Sequence, residues 1–168
     1  MTPFHDALRF GGFVLAHAAW IASELNAGEL ICPIGVIENG DSREIIPFEA
    51  ATQAEAMQAG INTMYGYIGA VDRWAFAREA LWSTGGSGSP KRDVLLVSAW
   101  SRGLDEPIIL QQCFHPNSSG SFSLFDRVMI AVHEVECTGE LHGKILPMVE
   151  HGISQHPQAH QWHIWKRE

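Results

Sequence analysis

Apolar residues recur every three or four positions near the amino terminus, alternate through the middle of the chain, and return to the longer spacing beyond residue 139. Phe4, Leu8, Leu15, Ala18, Ala19, Ala22 and Leu25 keep the helical period. Thr2-Pro3 offers a capping hydroxyl followed by proline at the first helical position. Gly28 can take the left-handed conformation that ends a helix. A helix is therefore predicted from about Pro3 to Ala27, with Gly11-Gly12 as a soft spot that allows a bend.

Leu30 to Ile37 is β-branched and apolar, and Arg43 to Phe48 reads as its return strand. The intervening Asn39-Gly40 favours a primed hairpin turn, since both residues tolerate positive φ. Pro33 lacks an amide donor and places the first strand at an edge or a bulge. Thr52 to Glu55 is a capping box. Met57, Ile61, Met64 and Ile68 follow it on one face of a helix over about Gln53–Ile68.

Val71 to Trp82 fits both periods. As a helix it stripes Val71, Trp74, Ala75, Arg78, Leu81 and Trp82; as a strand it aligns Trp74, Phe76, Arg78, Ala80 and Trp82. The alternating aromatics and the Gly/Ser loop at Thr84–Pro90 favour the strand. Asp93–Trp100, Pro107–Phe114 and Arg127–Val135 read as three more strands. The second and third are separated by a turn cluster at His115–Gly120. In the last strand Val128, Ile130 and Val132 share one face, and Met129, Ala131 and His133 the other. After Gly139, Leu141, Ile145, Met148 and Val149 mark a short helix kinked at Pro147.

This order predicts an α+β fold. It is a mostly antiparallel sheet of about five or six strands, with an N-terminal helix, a middle helix and a short C-terminal helix packed on it. Residues 1–155 are expected to form one α+β domain, and residues 156–168 a His/Trp-rich C-terminal tail.

With 46% hydrophobic and 18% charged residues, the chain of 168 can bury a real core, which excludes global disorder. Nineteen acidic against 11 basic side chains leave a net charge of −8. With only Lys91, Lys144 and Lys166 as lysines, a grip on nucleic acid is not expected. No apolar run is long enough for a membrane span. Phe10–Trp20, with Ala16-His17-Ala18, has the outline of a signal peptide. Asp6, Arg9, Gly11, Gly12 and His17 interrupt it, and it reads as a helix of the fold. Cys32, Cys113 and Cys137 are odd in number and widely spaced, which points to a reducing, cytoplasmic setting.

The chain has no nucleophile elbow, Walker loop, dinucleotide fingerprint or H-E-x-x-H helix, and no cofactor is expected. In a helical tail His156, His160 and His163 would share one face and offer imidazoles to zinc, nickel or copper. Glu79 and His115 are the candidate acid–base pair of a small hydrolase or isomerase, in a pocket bounded by Trp74 and Trp100. The plainer reading of Glu79 is a solvent-facing strand side chain or a structural pair with an arginine such as Arg78. Gln111, Gln112 and Glu49 are further polar residues among apolar positions, and His17 reads as a half-buried helix residue. Trp74, Trp82, Trp100, Trp162 and Trp165, with Trp20, are core or interface residues. Without a catalytic signature, the leading expectation is a small acidic protein-interaction module: an adaptor, chaperone or neutralising partner. It would bind another protein or itself, as a homodimer through the Pro33 edge strand or the first helix.

Overall fold

Thr2 caps the first helix as its position predicts, its hydroxyl accepting from the His5 amide at 3.1 Å. The computed structural model describes residues 1–82, 88, 90–117 and 121–166. Helix α1 runs unbroken over Pro3–Ser23. It ends before the expected Ala27 because the Glu24 amide closes back on Ile21 O at 3.1 Å. Gly28 takes its positive φ in the loop beyond.

Strands β1 (Ile34–Asn39) and β2 (Ser42–Pro47) form the hairpin, but its two-residue loop is Gly40-Asp41, one position later than expected. Of these two residues only Gly40 has a positive φ (62°), and a glycine first in such a loop suits a type II′ turn. Asp72 fixes it by accepting from the Gly40 amide at 2.7 Å. Helix α2 (Gln53–Tyr65) is capped by Thr52 and buries Ala56, Gly60 and Met64; Ile68, expected on that face, lies beyond the helix and is exposed. The ambiguous segment is strand β3 (Arg73–Trp82). Strands β4 (Arg92–Ser101), β5 (Ile108–His115) and β6 (Ser123–Val132) follow. The Gly/Ser loop expected at 84–90 falls, except for Gly88 and Pro90, outside the described residues, as do residues 118–120 of the turn cluster.

A seventh strand, β7 (Val135–Glu136), doubles back on β6. His133 and Glu134, read as strand residues from the sequence, are the turn between them, at φ 51° and 64°. Left-handed backbone costs an L residue about 1–2 kcal/mol. Replacing His133-Glu134 by Asn-Gly, which favours this geometry, is therefore expected to stabilise the fold by ~0.5–1 kcal/mol. A denaturation midpoint that does not rise would contradict the strain.

All seven strands form one antiparallel sheet in the order β2-β1-β3-β4-β5-β6-β7. β1 is thus internal, and Pro33 precedes it rather than marking an edge; the edges are β2 and β7. One face carries Val36, Ala75, Ala77, Leu95, Val97, Ala99, Leu110, Val128 and Ile130, all in the main core with α1. Helix α3 (Gly139–Ser154) packs against α1 in turn. α1 is therefore buried on more than one side, which its small residues permit.

The Gly11-Gly12 pair is a packing device and not a bend. A Cβ on Gly11 would come within 2.8 Å of Leu110 on the sheet. A Cβ on Gly12 would sit 3.0 Å from the carbonyl carbon of Val149, with the oxygen closer still. Gly152 answers from α3, where a Cβ would lie 2.7 Å from the Arg9 carbonyl carbon. Two glycines thus let the α1 and α3 backbones meet.

The segment beyond residue 155 forms a fourth helix, α4 (Ala159–Trp165). Trp162 enters the main core, Trp165 meets Phe122 edge-on at 5.2 Å, and Lys166 bridges to Leu124. Two tryptophans hold this segment on the sheet, so it is not a free tail. No described helix is long and apolar enough to cross a membrane.

Candidate functional site

The sheet separates the residues nominated as an acid–base pair. Glu79, Leu95 and Gln112 lie side by side across β3, β4 and β5. Alternation puts Phe114 on their face and His115 on the other. His115 stacks on Phe125 at 4.3 Å, whereas Glu79 accepts from the Ile31 amide at 3.3 Å beside a cavity of about 130 Å³. Burial raises the Glu79 pKa, but no imidazole reaches it. The same alternation separates Glu79 from Arg78, so the expected ion pair does not form either.

Gln112 is fully buried and structural. Its amide donates to the carbonyls of Phe125 (2.7 Å) and Asp126 (3.1 Å), where β6 bulges, and its oxygen accepts from Lys166. Glu49 is exposed after β2. Trp74 and Trp100 stack at 6.5 Å in a second core cluster under α2, and bound no pocket with Glu79. Of the nominated tryptophans Trp20, Trp82 and Trp165 keep partial exposure.

The tail histidines do not converge. His160 and His163 are exposed on α4, while His156 precedes that helix and is buried against α1. Among the described residues no three His, Cys, Asp or Glu side chains are placed to share a metal ion. His156 pairs instead with His17, Nε2 to Nδ1 at 3.0 Å. The Gln158 amide donates to His156 Nδ1 at 3.0 Å, so the His156 proton must sit on Nε2 and point at His17. His17 then accepts at Nδ1 and carries its own proton on Nε2.

Burial, each other's proximity and Arg43 push His156 down to about 4; burial and Arg43 lower His17 as well. Both rings are neutral at pH 7. A histidine depressed on folding contributes stability that is complete above its unfolded pKa of about 6.5. That contribution is lost as pH falls toward the folded value. The free energy of unfolding is therefore expected to drop between pH 6.5 and about 4, by at most ~1.4 kcal/mol per pH unit for each proton taken up, and the melting temperature with it. His156→Gln should flatten the profile in that window. An unchanged slope in the variant would refute the assignment.

The remaining surface with chemistry is the second face of the sheet. On this face α2 packs on β1 and β3 and shares a cluster with Trp100 at one end of β4, and no described helix covers the rest of β4, β5 or β6. Register places Arg78, Leu96, Gln111 and Met129 in one row there, Ser98, Ile109 and Ala131 in the next, and Val94, Cys113 and Phe125 in the row beyond. Leu96, Ile109, Phe125, Met129 and Ala131 are partly exposed. The split of Met129 and Ala131 from Val128 and Ile130 is the one read from the sequence.

Arg78 stands inside this apolar face. Its Nη1 donates to Ser98 Oγ at 2.8 Å and to Phe76 O at 3.2 Å, and its guanidinium lies 5.1 Å from the Phe76 ring. Nε and Nη2 have no hydrogen-bond partner among the described residues. Burial lowers its pKa, and no carboxylate among the described residues pairs with it. Asp93 and Glu79 both belong to the opposite face. At the margin Arg92 lies over Phe125 and pairs with Asp126 at 3.0 Å. The strand alternation had already put Arg78 with the aromatics, but nothing in the sequence said that its acid would be missing.

Comparison with known proteins finds no matching family model, no similar curated protein and no similar solved structure.

Proposed function

We propose that the protein is a small acidic interaction module, cytoplasmic and without catalysis of its own, that binds another protein through the open half of its sheet. The carrying observation is Arg78, a half-buried guanidinium in an apolar face with no carboxylate among the described residues to meet it. A partly desolvated cation held by neutral acceptors alone is costly. A partner segment that presents apolar side chains and an aspartate or glutamate supplies what is missing. Three free cysteines accord with a reducing compartment.

Self-association has less support. Of the surfaces expected to mediate a homodimer, β1 is internal and α1 is covered in part by α3. Pairing two open faces would set Arg78 against a second Arg78.

Selection from a random peptide display library on the intact protein tests this reading. Peptides that combine Asp or Glu with large apolar residues are expected, and Arg78→Ala and Met129→Arg should each lose them. Selected peptides without acids, or binding indifferent to both substitutions, would overturn it.

A further inference from the structure

A groove on the opposite face of the sheet runs along the one stripe of α1 that is not fully buried. Arg9, Phe13, His17 and Trp20 form that stripe at helical spacing. The β1–β2 hairpin makes one wall with Val36, Glu38, Arg43 and Ile45, and the turn between α3 and α4 makes the other with Gln155, His156 and Pro157. The groove has two lobes of about 300 and 270 Å³ that share Phe13, Arg43 and Pro157. The divider is the Arg43 guanidinium, 4.4 Å above the Phe13 ring.

The lobes differ in chemistry. The second is walled by Phe13, Trp20, Val36, Ile45 and Pro157, and Ile45 is half-exposed there. The first holds the ends of a chain of ion pairs. Arg9 meets Asp6 at 2.9 Å, Asp6 meets Arg73 at 2.9 Å, Arg73 meets Glu38 at 2.9 Å, and Arg43 Nε meets Glu38 at 2.7 Å. Among the described residues this chain joins three arginines through two carboxylates. Its neighbour Asp72 is committed to Arg102 at 3.5 Å. One positive charge is left over, and the terminal guanidiniums of Arg9 and Arg43 both line the groove. The Arg9 Nε is buried and unpartnered.

We propose that this groove is a binding site for a small monocarboxylate with an aromatic or alicyclic body. The carboxylate bridges Arg9 and Arg43 and brings the chain of charges to balance, in the paired geometry that guanidinium favours. The ring lies in the apolar lobe between Trp20, Phe13 and Ile45. His17 carries its proton on Nε2, which gives the site a neutral donor beside the ring. The combined space suits a small molecule. This site does not depend on the open half-sheet, and either can fail without the other.

The test is calorimetric titration of the full chain with phenylacetate, indole-3-acetate and cyclohexanecarboxylate, each beside its neutral amide. At least one acid is expected to bind at millimolar concentration or below, at least ~10-fold more tightly than its amide. Arg43→Gln should weaken the acid ~10-fold or more and leave the amide unchanged. Ile45→Asp should weaken both, while Lys144→Gln, far along α3, should change neither. Thermal melts of each variant establish that it folds. No heat from any acid, equal affinity for acid and amide, or indifference to Arg43→Gln with the fold intact would overturn the proposal.

Discussion

Gly12→Ala and Gly152→Ala are each expected to destabilise the fold by about 3 kcal/mol, although alanine is the better helix former. The sign follows from what the new methyl meets. At Gly12 it meets the main chain of Val149, and at Gly152 the main chain of Arg9. Neither obstacle is a flexible side chain that can turn aside, so α1 and α3 must separate. Separation also loosens Ile145, Val149 and Ile153, which pack in the main core. For a chain of this length the loss corresponds to roughly 6–12 °C in Tm. Gly143→Ala on the same α3 is the control. Its Cβ has no neighbour within 4 Å, and it should gain up to ~1 kcal/mol as a helix interior normally does. Thermal or urea melts of the three variants decide the matter. A neutral Gly12→Ala would mean that the helices do not touch there.

Replacing Arg78 should split stability from binding. A double substitution, Arg78→Met with Ser98→Ala, removes the guanidinium and the hydroxyl that answers it. Replacing a buried charged group by apolar side chains of similar size is often neutral or stabilising. The free protein is therefore expected to keep its stability or gain ~1 kcal/mol. Affinity for an acidic partner segment should fall by a factor of ~100, the scale of a desolvated charge-assisted contact. If stability collapses instead, Arg78 is a structural residue. If binding survives the change, the open face acts without it.

The elements that were legible in the sequence are those whose signal is local. Thr2 and Thr52 cap their helices because a cap involves only residues within one turn. Strand β3 followed from alternating aromatics, and Met129 parted from Val128 because a strand turns each successive side chain over. The hairpin at residue 40 was found one position out, since Asn39 and Gly40 both tolerate a left-handed backbone and only strand register selects between them. Strand β7 was missed because its turn uses His133 and Glu134, which carry no turn signature. The span beyond residue 155 carries two tryptophans whose apolar area calls for a docking surface, and the tertiary structure supplies it on the chain's own sheet.

The candidate sites were less legible for the same reason. Glu79 and His115 are each plausible alone, and only the pairing of β3 with β4 and β5 shows them on opposite faces. His17 and His156 stand far apart in the chain, yet a hydrogen bond joins their rings beside the end of α3. Composition and periodicity determined the α+β class, the net acidity and most helices and strands, because these depend on neighbours in sequence. Charge balance at a point does not. That Arg78 meets no acid among the described residues, and that Arg9 and Arg43 end a chain with a positive charge left over, was decided when distant segments met. Coulomb and desolvation energies depend on distance and burial in space, and neither is written in residue order.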